Sequence, residues 1–195
     1  QSQVLDNPHG KILQMTLEGA PVPDSPHHVD NDVSNIANYV WARGFRNPFG
    51  LKVVGEDLYV ADNGQAIDRF LLVRPGGNYL WDGTDASIGL NADAVFIPGS
   101  GVGQLDYLPY SASVFPSTHL SDFYVAVTGT TLNPTQGRRI PPSVLRIPFD
   151  LDGGRVTAIP EPIVRYRGGE AQVLAAMAFG PDGLYFAPVF PNRIG

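Results

Sequence analysis

Hydrophobic positions recur along the chain in three short, similar runs, each of which starts at or just after a polar turn. The runs occupy residues 57–61, 122–126 and 183–187. Each has a tyrosine at its third position, and successive tyrosines stand 65 and 61 residues apart. Because the runs are apolar and rich in aromatic and β-branched residues, they predict buried β-strands.

A second, weaker apolar pattern follows these runs after a loop. It occupies residues 68–73 after the first run and residues 143–148 after the second, and residues 10–15 fit the same slot near the start. Residues 192–194 resemble the beginning of another copy. The chain thus contains about three repeat units, and it begins and ends at about the same phase of the repeat.

Long amphipathic helices are not predicted. Residues 31–42 are the best helical candidate, and their Val, Ile and Tyr content makes that candidate weak. The 22 glycines and 18 prolines are spread along the chain, as in proteins built from many short strands joined by turns. The fold class is therefore all-β, and a sandwich, a barrel or a propeller is compatible with the pattern.

A β-propeller of four-stranded blades accommodates the repeat, with about three blades in this chain. The repeat is longer than the roughly 40–50 residues of an ordinary blade, and long loops such as 128–142 account for the difference. Propellers close with roughly four to eight blades, so three alone would leave exposed sheet edges. We therefore expect residues 1–195 to form a single partial propeller domain that needs a partner, either the remaining blades or another protein chain.

Composition and charge exclude several classes of protein. The formal net charge of −6 at pH 7 argues against a nucleic-acid binder, which needs a basic surface. No apolar run approaches the roughly 20 residues that cross a bilayer, so no membrane span is expected. The absence of cysteine excludes disulfides, thiolate metal sites and cysteine nucleophiles. It is also compatible with a periplasmic or extracellular location, which we expect.

Four segments occur in an order that points to a family. They are Gly-Lys-Ile-Leu at 10–13, Trp-Ala-Arg-Gly-Phe-Arg-Asn-Pro-Phe-Gly-Leu at 41–51, Leu-Tyr-Val-Ala-Asp-Asn-Gly at 58–64 and Gly-Gly-Asn-Tyr-Leu-Trp at 76–81. Together they resemble the glucose/sorbosone dehydrogenases, soluble sugar dehydrogenases that depend on pyrroloquinoline quinone (PQQ). The Arg-Asn-Pro and Asn-Tyr-x-Trp motifs at this spacing are the most specific part. The resemblance covers nearly the whole chain, but only the carboxyl-terminal half to two-thirds of a typical member.

The resemblance implies a six-bladed propeller when complete, with PQQ on its axis and Ca²⁺ beneath the quinone. Its reaction would be oxidation of an aldose at the anomeric carbon by hydride transfer to PQQ. By resemblance, Arg46 and Asn47 would bind the cofactor, and a guanidinium offers forked, charged donors that suit a tricarboxylate such as PQQ. Gly64, Gln65 and Asp68 would hold Ca²⁺, which prefers carbonyl and carboxylate oxygens.

Parts of the family's active site have no counterpart in this sequence. The family's general-base histidine would lie upstream of Gln1, so we assign no catalytic residue. Val-Thr-Gly at 127–129 stands where many members have His-Gly-Ser, and residues 172–176 carry no charge where members have basic residues. An alternative is therefore a catalytically degenerate propeller that serves as a binding or assembly module in a larger complex. A lactonase- or hydrolase-like propeller with axial calcium also fits the fold class.

Several candidate residues have simpler structural interpretations. Arg46 could cap strands or pair with an acid between blades, and Asp68 could stabilise a turn. The histidines and aspartates at 27–32 have the chemical types of a metal site, but adjacent histidines in a loop do not easily face one ion, which favours a solvated loop. Residues 150–154 lack the later acid of an EF-hand and predict a hairpin turn.

Overall fold

Short antiparallel strands form almost all of the regular structure in the computed structural model, which describes residues 1–112, 114–129, 140–168 and 173–188. The strands are β1 (Lys11–Leu13), β2 (Val40–Arg43), β3 (Pro48–Val54), β4 (Asp57–Asp62), β5 (Asp68–Val73), β6 (Ala94–Phe96), β7 (Val102–Leu108), β8 (Asp122–Val127), β9 (Ser143–Ile147), β10 (Phe149–Asp150), β11 (Arg155–Val156), β12 (Glu161–Arg165), β13 (Leu174–Phe179) and β14 (Leu184–Pro188). The short helices are α1 (Asp85–Ile88) and the 3-10 turns Ile36–Tyr39 and Ser117–His119. No helix within the described ranges is long and apolar enough to cross a membrane.

Two four-stranded antiparallel sheets form the centre of the molecule. The first has the order β3-β4-β5-β6 and the second the order β7-β8-β9-β12, with β10 and β11 as a separate hairpin between β9 and β12. Each sheet is one propeller blade. The pair β1–β2 packs on the side of the first blade that faces away from the second, in the position of the two outer strands of a neighbouring blade. The pair β13–β14 packs on the far side of the second blade, in the position of the two inner strands of a further blade. The predicted all-β fold, a partial propeller with about three blades, is confirmed.

The first strands of successive blades, β3, β7 and β13, lie side by side at the inner edge of the blades. Glycine permits their close approach, because a Cβ at Gly50 in β3 would collide with the carbonyl oxygen of Gly103 in β7. A Cβ at Gly103 would in turn lie 2.9 Å from the carbonyl oxygen of Ala175 in β13. The blades are therefore arranged around a common axis, as in a propeller.

Strand residues alternate between the two faces of each blade, and in the middle strands β4, β5 and β8 both faces are largely buried. In β4, Tyr59 packs towards the second blade, whereas Val60 packs towards β1 and β2. In β8, Phe123 packs towards the first blade and Tyr124 towards β13. Burial on both faces explains why the repeated runs are apolar throughout rather than alternating. The prediction of buried strands fails for the third copy in β14, which is mostly exposed because no described strand covers its outer face.

Three local expectations can be compared with the structure. The helical candidate at 31–42 is reduced to one 3-10 turn, because its last residues form β2, pair with β1 and bury Val40 and Ala42 completely. The hairpin at 150–154 is confirmed, since β10 pairs with β11 and Gly154 closes the turn with a φ of 60°. Residues 192–194 and most of the loop 128–142 lie outside the described residues.

Candidate cofactor site

One end of the first blade gathers the segments that carry the predicted site residues. β3 begins opposite the end of β4, and β5 begins at that same end of the sheet. Antiparallel neighbours run in opposite directions, so the segment before β3 and the loop between β4 and β5 are adjacent. The backbone N–H of Asn63 donates to the carbonyl oxygen of Asn47 at 2.9 Å. Arg46, Asn47 and the loop 63–67 therefore form one local site beside the inner strand.

A fully buried ion pair supports this site. Asp62 at the end of β4 and Arg69 in β5 have unexposed side chains, and Oδ2 of Asp62 lies 2.9 Å from Nη2 of Arg69. Nε of Arg69 also donates to Oδ2 at 2.9 Å. The carboxylate further accepts the backbone N–H of Asn47 at 2.7 Å and that of Arg46 at 3.3 Å. Asp62 thereby fixes the backbone that presents the two predicted cofactor residues.

Arg69 connects the first blade to three surrounding segments. Its Nη1 donates to the carbonyl oxygens of Tyr79 and Leu90 at 2.8 and 2.9 Å, and its Nη2 donates to that of Gly44 at 3.0 Å. Burial raises the pKa of Asp62, an effect that the Arg69 guanidinium and the backbone N–H groups oppose. A buried charge pair is tolerated only when its members are paired and hydrogen-bonded, and this pair meets that condition.

Arg46 is half-buried, and its guanidinium is only partly used. Nη1 donates to the carbonyl oxygen of Asn63 at 3.0 Å. Among the residues that the structure describes, no carboxylate lies within ion-pair distance of Arg46. The neighbouring Asn47 is exposed. The described residues thus do not include the acidic partner that the sequence analysis considered for Arg46. The remaining N–H groups of its guanidinium are available to a ligand.

Asp68 holds the loop between β4 and β5 in place. Its carboxylate is buried, with Oδ1 accepting the N–H of Gly64 at 2.8 Å and Oδ2 accepting those of Ser100 and Gly101 at 2.7 and 2.8 Å. Burial raises the pKa of Asp68, and these backbone donors oppose the shift. A Cβ at Gly64 would collide with the carbonyl oxygen of Ile67, so this loop conformation requires glycine. Asp68 therefore stabilises this turn, which is the structural role that the sequence analysis considered for it.

The first blade and its loops match a known family. Residues 1–97, which include the whole first blade and the loops just described, match the model of the glucose/sorbosone dehydrogenase family. This part of the chain resembles that family. A comparison with functionally curated proteins gives no significant match.

A solved structure agrees with this resemblance. The chain is similar to a protein from Thermus thermophilus that has been assigned as an oxidoreductase (glucose dehydrogenase). The two share 27% sequence identity with a TM-score of 0.66, over 95% of the present chain and 50% of the Thermus chain. The present chain therefore spans about half the length of that protein.

The loop between β4 and β5 offers oxygen ligands for a hard cation from its backbone. The carbonyl oxygens of Gly64 and Gln65 accept no hydrogen bond from any described residue, whereas that of Ala66 accepts the N–H of Gly99 at 2.6 Å. Both oxygens of Asp68 are already engaged. Within the described ranges, no three His, Cys, Asp or Glu side chains come together as a metal site. Two backbone carbonyl oxygens of the loop are therefore not used by the described residues, and Asp68 fixes the loop conformation.

The acidic residues at 27–32 do not take part in this site. Asp30 and Asp32 are exposed, and the side chain of Asn38 donates to Asp30 Oδ1 at 2.7 Å. This hydrogen bond, together with one from Asn35, holds the pKa of Asp30 below its ordinary value. The two aspartates thus agree with the solvated loop, whereas His27 and His28 are half-buried.

The sequence analysis did not single out Asp62 and Arg69. Asp62 directly follows one apolar run and Arg69 lies within the next, and charged residues are almost never fully buried unless paired. That position is the signal that could have identified them. Their pairing depends on the register of β4 against β5, which places Asp62 opposite Arg69 and cannot be deduced from either strand alone.

Proposed function

We propose that this chain forms part of a PQQ-dependent sugar dehydrogenase that oxidises an aldose at the anomeric carbon. The observation that carries the proposal is the state of Arg46, a half-buried arginine beside the inner strand β3 without an acidic partner among the described residues. A guanidinium held in this way suits an anionic ligand better than a neutral one.

Arg46 and Asn47 would bind the carboxylates or quinone oxygens of PQQ. The backbone of both residues is fixed by Asp62, so their side chains are presented from a rigid support. Such pre-organisation reduces the entropy that is lost when a ligand binds. The exposed amide of Asn47 supplies both a donor and an acceptor beside the charged group of Arg46.

Calcium would be held by the carbonyl oxygens of Gly64 and Gln65, which is the ligand chemistry that this ion prefers. Asp68 would act as a positioning residue, because its hydrogen bonds to Gly64 and to the next blade set the loop conformation. When bound, PQQ supplies the hydride acceptor and calcium polarises its quinone carbonyl. We assign no general base to the residues of this chain. A periplasmic or extracellular location, which the absence of cysteine permits, belongs to the same proposal.

The test of this proposal is a titration of the protein with PQQ in the presence of calcium, comparing the wild type with Arg46→Gln. Loss of charged hydrogen bonds should weaken PQQ binding roughly 10- to 100-fold. The matched control is Arg74→Gln, because Arg74 is largely exposed and pairs with Asp57. Asp57 begins β4, at the end of that strand opposite to the candidate site. Equal PQQ affinity in the wild type and a folded Arg46→Gln variant would refute the assignment.

A further inference from the structure

The peptide group between Gln65 and Ala66 has a neighbour on each of its two sides. On one side, the N–H of Ala66 donates to Oδ1 of Asp85 at 3.2 Å. On the other side, the backbone of Gly99 lies so close that a Cβ there would be 3.2 Å from the carbonyl oxygen of Gln65. In a planar trans peptide the N–H and the C=O point in opposite directions. The acceptor at Asp85 therefore turns the Gln65 carbonyl towards the segment that leads into the inner strand β7.

Asp85 reaches the loop from the short helix α1, whose position is fixed by burial and hydrogen bonding. Ile88 in the same helix is fully buried. Two residues after the helix, the carbonyl oxygen of Leu90 accepts a hydrogen bond from Nη1 of Arg69 at 2.9 Å. The same Arg69 pairs with the buried Asp62. The buried ion pair thus holds both the backbone of the candidate site and the helix that carries Asp85.

The preceding peptide group of the loop is oriented by other partners. The carbonyl oxygen of Asn63 accepts a hydrogen bond from Arg46 at 3.0 Å, and the N–H of Gly64 donates to Asp68 at 2.8 Å. Both ends of that peptide are used, whereas the carbonyl oxygen of Gln65 accepts no hydrogen bond from any described residue. The direction of this free oxygen is therefore set from the N–H side of its peptide, which is the side that faces α1.

We propose that Asp85 is a positioning residue for calcium, because it orients the carbonyl oxygen of Gln65 and so sets the affinity of the loop for the ion. The inference rests on the proposed function, in which this oxygen is a calcium ligand. Calcium affinity depends on how rigidly the oxygen ligands are held. Asp85 lies on the opposite side of the peptide from the ligand oxygen, so it acts through the peptide. It also lies outside the motifs that carry the family resemblance, which end at residue 81.

Two substitutions separate the hydrogen bond of Asp85 from its charge. Asp85→Ala removes both, whereas Asp85→Asn keeps an oxygen that can accept the N–H of Ala66. Calcium is titrated by calorimetry with PQQ in excess, in about 1 M tetramethylammonium chloride, where a Debye length of about 3 Å screens the lost charge. The matched control is Asp152→Ala, because Asp152 is exposed and lies in the hairpin between β10 and β11.

The calcium titration should separate the variants into two groups. Asp85→Ala should bind calcium roughly tenfold more weakly than the wild type, because one hydrogen bond that orients a ligand is lost. Asp85→Asn and Asp152→Ala should each stay within about threefold of the wild type. Equal calcium affinity in the wild type and Asp85→Ala would overturn the inference. An Asp85→Asn variant as weak as Asp85→Ala would also overturn it, since the charge and not the hydrogen bond would then matter.

Amide hydrogen exchange provides a measurement that needs no ligand. The N–H of Ala66, followed by NMR in the calcium-free protein, should exchange faster in Asp85→Ala than in the wild type or in Asp85→Asn. Equal exchange in all three proteins would show that this hydrogen bond does not order the loop, which contradicts the inference. A wild type that protects this amide but binds no calcium would instead refute the calcium site of the proposed function, and with it the role of Asp85. The two failures are thus distinguishable.

Discussion

The buried pair Asp62–Arg69 is the residue-level feature on which the candidate site depends most. Replacing Arg69 by methionine keeps much of the side-chain volume but leaves the Asp62 carboxylate buried without its cation. Removing one partner of a buried ion pair costs about 3–5 kcal/mol. We therefore predict a loss of that size in the free energy of unfolding of Arg69→Met, measured by urea denaturation.

The exposed pair Arg74–Asp57 provides the control for this prediction. Arg74→Gln should change the free energy of unfolding by less than about 1 kcal/mol, as is usual for surface ion pairs. An Arg69→Met protein as stable as the Arg74→Gln protein would show that the buried pair does not hold the site together.

At the scale of structural elements, the loop between β4 and β5 depends on the absence of a side chain at Gly64. The added methyl group of Gly64→Ala would collide with the carbonyl oxygen of Ile67 and displace the loop. Overpacking of this kind costs about 1–3 kcal/mol. Thermal unfolding should show a lower Tm, and any rise of Tm on adding calcium should be smaller than in the wild type.

Gly183→Ala is the matched control for the loop prediction, because a Cβ at Gly183 meets no atom within 4 Å. Its Tm and its response to calcium should follow the wild type. If Gly64→Ala responded to calcium as Gly183→Ala does, the carbonyl oxygens of this loop would not be calcium ligands.

The strands themselves were largely predictable, because burial on both faces of a blade produces continuous apolar runs. Residues 57–61 and 122–126 became β4 and β8, and residues 68–73 became β5. The helical candidate at 31–42 failed because β2 is stabilised by pairing with β1, about 30 residues earlier, which local propensity does not reveal.

The sequence indicated the residues of the candidate site but not the residues that support them. Family motifs indicated Arg46, Asn47 and the loop at 64–68, whereas the buried partners of these residues arise from strand register and blade packing. The three hydrogen bonds of Asp68 illustrate this, since two of its donors come from residues 32 and 33 positions away. A sequence pattern specifies which residues are polar, and tertiary contacts decide which of them remain free for a ligand.

For the whole molecule, we propose that one end of this propeller segment binds PQQ with calcium. The decisive measurement is equilibrium titration of the wild-type protein with PQQ, once with calcium and once with a chelator. We expect saturable binding with a dissociation constant of about micromolar or tighter in calcium, and markedly weaker binding in the chelator. Absence of saturable PQQ binding in calcium by a folded protein would contradict it and favour a propeller that serves only as a binding module.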